Sequence, residues 1–220
     1  LANVVAGIAE PKVLDELNET IPRRKVGILG GTFNPPHVGH LIIAEQVRNQ
    51  LGLEEIFFMP SAEPPHKVTK DTIAAEHRLS MLEEAVKDNR AFSIEKTEID
   101  RGGKSYTYDT LVQLKKVHPE IEYYFIIGAD MAEDLKNWYK IDELIQLVQF
   151  VAVNRPNYRL DTSYPVIFVD VPSIDLSSSL IRQKITDGCS IKYLVPQEVE
   201  NYIESEGLYK YEENSSGLSE

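Results

Sequence analysis

The sequence predicts an α/β domain built on a parallel sheet that is covered on both faces. Three observations carry this. Extended apolar segments alternate with segments of helical periodicity from Lys25 onward. Several of the strands, such as EYYFIIGAD, are continuous apolar runs without in-out alternation, as in parallel strands buried on both faces. And 220 residues, 42% hydrophobic and 26% charged, suit one domain with a sizeable core.

In order, residues 1–24 form an appendage with a short helix around Lys12–Glu19, ending at Pro22-Arg23-Arg24, which reads as a solvated flank. KVGIL is a buried strand, and VGHLIIAEQVRNQL has apolar residues at helical spacing. EIFFMP is a second strand, followed by the polar, Pro-rich loop SAEPPHKVTKDT, a candidate for a loop that closes on a ligand. EHRLSMLEEAVKDN is a helix, FSIEKTEID an extended run, and TYDTLVQLKKVHP a helix stopped by Pro119. Then come the strand EYYFIIGAD, the helix DELIQLVQ, and the strands FVAVNRP and PVIFVDV. DLSSSLIRQKITDG opens on N-cap candidates and ends at Gly188, as a helix does. PQEVENYIESEGLY is the last helix, with Pro196 near its start and Gly207 at its end, and residues 212–220 form a disordered tail.

A net charge of −12 and a pI near 4.9 argue against holding nucleic acid by phosphate neutralisation. An anionic ligand must then sit in a local basic pocket. The single cysteine, Cys189, excludes an intrachain disulfide and fits a reducing cytoplasm. LANVVAGIAE lacks a preceding basic residue and is too short to span a bilayer, so a soluble cytoplasmic protein without membrane partners is expected.

Ligands of parallel sheets bind beyond the carboxyl ends of the strands. Gly30-Gly31-Thr32, the 60–67 loop, Gly128-Ala129-Asp130, Asn154-Arg155 and the segment before Ser177 should therefore converge on one rim. Gly30 and Gly31 can turn the chain or admit a phosphate close to backbone N–H groups; they form neither a G-x-G-x-x-G fingerprint nor a P-loop. His37 and His40, three apart at a helix start, share a face where the helix already favours an anion. As a metal site the pair lacks third and fourth ligands. Lys67, Arg155 and Arg182 supply cations at the same rim. Ser177 is an N-cap or a phosphate contact, Arg182 a solvated charge or a clamp.

GGTFNPPHVGH at 30–40 and SSSLIR at 177–182 resemble the two signatures of the HxGH nucleotidyltransferase superfamily; Ser179 stands where Thr is usual and keeps a hydroxyl. PPHK at 64–67, SYTYDT at 105–110, FIIGADM at 125–131, WYK at 138–140 and VPQ at 195–197 follow in order. Together they resemble the bacterial nicotinate-nucleotide adenylyltransferase family over residues 25–211. The resemblance implies a Rossmann-like, doubly wound parallel sheet in a single domain. It implies transfer of AMP from ATP to nicotinate mononucleotide in NAD biosynthesis, with Mg²⁺ carried on the ATP and no metal site of the protein's own. No nucleic-acid partner is implied, and a homo-oligomer is left open.

The resemblance also implies roles. Gly30, Gly31 and Thr32 would lie against the phosphates, His37 and His40 would contact them with His40 nearest the α-phosphate, and Ser177, Ser178 and Arg182 would hold the β,γ-phosphates with help from Lys67. Gly128 and Asp130 would face the adenosine, unless Asp130 is only a helix cap. Trp138 would stack on the pyridinium ring, unless it is core packing, and Thr107 with the backbone N–H near Tyr139 would read the carboxylate. Rival readings are a superfamily member with another acceptor, a non-catalytic nucleotide sensor, and a zinc-binding structural module.

Overall fold

In the computed structural model, residues 23–63, 72–154 and 162–210 are described. Six strands, β1 (Lys25–Gly31), β2 (Glu55–Pro60), β3 (Phe92–Ile94), β4 (Glu122–Gly128), β5 (Gln149–Asn154) and β6 (Val166–Asp170), form one sheet in the order β3-β2-β1-β4-β5-β6. Every neighbouring pair is parallel. This is the expected Rossmann-like doubly wound arrangement. The strand order reverses between β1 and β4, and that reversal opens a crevice at their carboxyl ends.

Side-chain alternation along the strands feeds two cores. Val26 and Ile28 of β1, Met59 of β2, and Tyr123, Phe125 and Ile127 of β4 point to one face. Leu29, Ile56, Phe58, Tyr124 and Ile126 point to the other. On the first face pack α4 (Thr107–Val117), α5 (Ala129–Glu133) and α6 (Ile141–Leu144), through residues such as Leu111, Leu114, Ala132 and Leu144. On the second pack α1 (Val38–Leu51) and α2 (Ala75–Val86), through Ala44, Val47, Leu82 and Val86. A third cluster joins Met81 of α2 to Ile181 of α7 (Ser178–Thr186) and to Val199 and Ile203 of α8 (Gln197–Ser205). Among the described residues no helix is long and apolar enough to cross a membrane.

The expected α1 and β2 coincide with the observed bounds, and Gly188 and Gly207 follow their helices with φ of 67° and 64°, the left-handed stops that the sequence implied. Two expectations need correction. FSIEKTEID is extended only to Ile94; Thr97–Arg101 forms a short helix, α3. There the Glu95 carboxylate accepts the Thr97 N–H at 2.9 Å, a local bond that turns the chain out of the sheet. DELIQLVQ is one helical turn, α6, followed by tight turns that deliver buried Val148 to β5. Short helical turns at 129–133 and 135–137 were not expected. The expected helix at 12–19, the tail, most of the Pro-rich loop, and with them Lys67 and Arg155, lie outside the described residues.

Candidate active site

Two cavities flank the carboxyl ends of β1 and β4 and share Gly30, Ile126, Ile127 and Met131 as a common wall. One, of about 370 Å³, is lined by His37, Gly39, Gly128, Asp130 and the segment Val171–Ile174 and Leu176 ahead of α7. The other, of about 310 Å³, is lined by Gly31, Thr32, Ser61, Thr107, Trp138 and Tyr139. Most of the expected rim therefore converges, but on two chambers. Thr32 lies in the second and Gly30 in both.

The glycines have a cause that the sequence did not reveal. Gly30 and Gly31 are the last residues of β1 and not a turn beyond it. A Cβ on Gly30 would come 3.2 Å from the ring of Phe125, and one on Gly31 3.1 Å from that of Phe33. Phe33 itself has φ of 51°, so the chain swings sharply into Asn34-Pro35-Pro36. Gly39 is explained by its neighbour: a Cβ there would stand 3.0 Å from Nδ1 of His37. Without it the His37 ring folds back and stacks on His40, centroids 3.7 Å apart and planes 23° from parallel. The glycine of HVGH thus makes room for the paired imidazoles.

Burial alone holds the His37 imidazole down to about 4, and burial with the neighbouring His37 holds His40 well below its usual value. Both rings are therefore neutral at pH 7. His40 Nδ1 accepts the His37 backbone N–H at 3.1 Å, which places the His40 proton on Nε2 as a donor. His37 Nδ1 is buried with no hydrogen-bond partner among the described residues.

This asymmetry gives a stability prediction. A base whose folded value lies below its unfolded one binds more protons when unfolded, so its contribution is full above about pH 6.5 and is lost as pH falls to about 4. For His37 the loss approaches about 3 kcal/mol. Denaturant midpoints of the ligand-free protein should fall between pH 6.5 and pH 4. The His37→Asn variant should show a shallower slope; equal slopes would remove His37 as the cause.

Arg78, 2% exposed, ties the chamber walls together. Its Nη1 donates to the carbonyls of Thr32 at 2.9 Å and Ser61 at 2.8 Å, bridging the ends of β1 and β2. α7 clasps the loop ahead of His37: the Ser178 hydroxyl donates to the Pro35 carbonyl at 2.8 Å, and Arg182 Nη1 to the Asn34 carbonyl at 2.9 Å. Ser177 is an N-cap, accepting the Leu180 N–H at 3.2 Å. Sequence reasoning missed Arg78 because a cation in a helix reads as surface.

Asp130 is the second residue of α5 and makes no capping bond, so the cap reading falls away. Its Oδ1 lies 2.5 Å from where a Gly128 Cβ would stand. Gly128→Ala should therefore push this carboxylate aside, weakening the binding of whatever ligand this cavity holds several-fold with little change in melting temperature. Unchanged binding would dissociate Asp130 from that cavity's ligand.

In the second cavity Trp138 is half-buried and meets Phe125 and Phe150 edge-on at 5.9 and 5.7 Å. It is core packing that also walls this cavity, so the core-packing alternative does not exclude a ligand against its face. Tyr139 packs on Tyr106 at 5.0 Å, an aromatic neighbour not anticipated. Thr107 opens α4, and with Tyr106 it brings the start of that helix to this wall. Among the described residues no group of three or more His, Cys, Asp or Glu side chains could hold a metal ion.

The Cytidylyltransferase-like family model matches residues 28–184. A protein of Lactiplantibacillus plantarum named "Probable nicotinate-nucleotide adenylyltransferase" is 57% identical over 90% of this chain and 94% of its own length. One of Enterococcus faecalis with the same name is 55% identical over 86% and 87%. A Plasmodium falciparum nicotinic acid mononucleotide adenylyltransferase, solved in complex with APC and with NaAD, superposes with a TM-score of 0.70 at 20% identity, over 84% of this chain and 97% of that one; it shares the fold. With more than half its residues identical to the curated relatives over most of both chains, the chain belongs to the nicotinate-nucleotide adenylyltransferase family, nucleotidyltransferases built on the cytidylyltransferase-like fold.

Proposed function

We propose that the chain transfers the adenylyl group of ATP to the 5′-phosphate of nicotinate mononucleotide, giving deamido-NAD and pyrophosphate, in the cytoplasm. The observation that carries this is the pair of chambers meeting over Gly30. One is lined by the histidine pair's His37 and by Asp130, the other by Trp138 and Thr107. Two ligands seated there would face each other across a side-chain-free strand end.

A phosphate oxygen of the acceptor attacks the α-phosphorus, the bond from that phosphorus to the bridging oxygen breaks, and pyrophosphate leaves. The nucleophile is ionised at pH 7, so no general base is needed; alignment and charge stabilisation are. His40 donates from Nε2 to the α-phosphate, and His37, whose Nδ1 has no partner among the described residues, joins it. Arg182, Ser177 and Ser178 at the α7 N-terminus hold the β,γ-phosphates, with Lys67 from its loop, while Gly30, Gly31 and Thr32 give backbone access. Gly128 and Asp130 face the adenosine, the carboxylate toward ribose hydroxyls. Trp138 stacks on the pyridine ring, and Thr107 with the N–H near Tyr139 binds the nicotinate carboxylate. Two such bonds, at about 1.5–3 kcal/mol each, favour acid over amide by roughly 100- to 10,000-fold. Neutral imidazoles and guanidinium suit a polyphosphate that brings its own Mg²⁺, which neutralises phosphate charge when bound.

Pyrophosphate release from MgATP, measured with nicotinate mononucleotide, nicotinamide mononucleotide and phosphopantetheine in parallel, tests the reading. Rapid release with the first alone is expected. Release with another acceptor would keep the chemistry and overturn the roles of Trp138 and Thr107; no release with any would favour a nucleotide sensor.

A further inference from the structure

The loop Phe33–Pro36 connects the strand-end glycines to His37, and three side chains grip it from outside. Ser178 and Arg182 belong to the second motif. The third does not: the Tyr209 hydroxyl, beyond α8, donates to the Asn34 side-chain carbonyl at 2.7 Å. Asn34 is 4% exposed, and its backbone carbonyl is the one that accepts Arg182 Nη1, at 2.9 Å.

Tyr209 is itself held at an unusual setting. Its φ is 62°, a left-handed conformation that non-glycine residues adopt only where the surroundings impose it. The Thr186 hydroxyl at the end of α7 donates to its carbonyl at 3.2 Å, and the ring packs with the α2–α7–α8 cluster. Burial raises the phenol's pKa, opposed by the charges of Arg182 and Arg78, so the hydroxyl stays a protonated donor. A strained, half-buried, doubly anchored tyrosine aimed at the loop ahead of the histidines is more than packing alone requires.

We propose that Tyr209 is a positioning residue for adenylyl transfer: through Asn34 it fixes Arg182 and the loop that presents His37 and His40. The proposal rests on the reading of those three residues as the phosphate-contacting set. It predicts an effect on the nucleotide half of the reaction and none on acceptor recognition, since Trp138, Thr107 and Tyr139 lie in the other chamber.

The test is the steady-state kinetics of Tyr209→Phe, Arg182→Ala and the double variant, with thermal melts alongside. Tyr209→Phe keeps the ring and its packing and should melt cooperatively near the wild type. Its turnover should fall about tenfold to a hundredfold, with a raised KM for MgATP and an unchanged KM for nicotinate mononucleotide. Because Tyr209 and Arg182 hold the same residue, Asn34, and neither bond alone fixes the loop, the double variant should be little worse than Arg182→Ala alone. Turnover of Tyr209→Phe within about twofold of wild type, or losses that multiply in the double variant, would overturn the proposal. A mere anchor would lower the melting temperature and leave the constants of the folded enzyme alone. Wild-type turnover in Arg182→Ala would instead mean that the phosphate-site reading had failed.

Discussion

Replacing His40 with alanine should lower turnover by on the order of 100- to 1,000-fold, the range for removing one preorganised donor from a developing charge. His40 is singled out by its tautomer. The His37 N–H occupies Nδ1 at 3.1 Å, so Nε2 must carry the proton and can only donate. Burial and the neighbouring His37 keep the ring neutral, so on the proposed mechanism it would act by a directed hydrogen bond without prior protonation. Its T-shaped contact with Phe33, at 5.0 Å, and its stack on His37 hold the ring in that direction. His40→Ala also removes the stacking partner of His37, so its melting temperature should drop by a few degrees while the melt remains cooperative. Turnover equal to wild type in a folded His40→Ala variant would remove the histidine pair from the chemistry.

The second large effect should come at Trp138, and two substitutions are needed to read it. Trp138→Ala takes away a cavity wall and, with it, edge contacts to Phe125 and Phe150. It should cost about 3 kcal/mol of stability, the low end for a core aromatic, together with acceptor binding. Trp138→Phe can retain the edge packing and lose only the larger face. Its KM for nicotinate mononucleotide should rise about tenfold, the worth of a stacked cation, with the KM for ATP and the melting temperature little changed. A rise in both KM values together would mean that Trp138 shapes the shared wall and not the acceptor chamber alone.

Both effects trace to how the chain packs, and they mark where reading residues in order stops. The helix 38–51 and the strand 55–60 were legible because periodicity and punctuation are local: apolar spacing sets the face, and Gly52, with φ of 61°, ends the helix. FSIEKTEID misled because alternation persists across a turn that Glu95 makes by bonding its own neighbour's N–H, an event without a periodic signature. Trp138 read as either a stacking face or core packing, yet an aromatic on a tight turn can lay one edge on the core and leave a face to a cavity.

By itself the sequence determined the parallel sheet covered on both faces, the strand ends that share one rim, and the residues of the two motifs, because the alternation of strand and helix segments and position at a strand end are properties of contiguous segments. Only the tertiary structure decided that the rim is two chambers sharing one wall, that Gly30, Gly31 and Gly39 are small because Phe125, Phe33 and His37 occupy their side-chain space, and that Arg78 and Tyr209 brace the cradle from 46 and 175 residues away along the chain. The reason is physical: close packing assigns each side chain's space by its neighbours in three dimensions, and those neighbours carry no signal at the position itself.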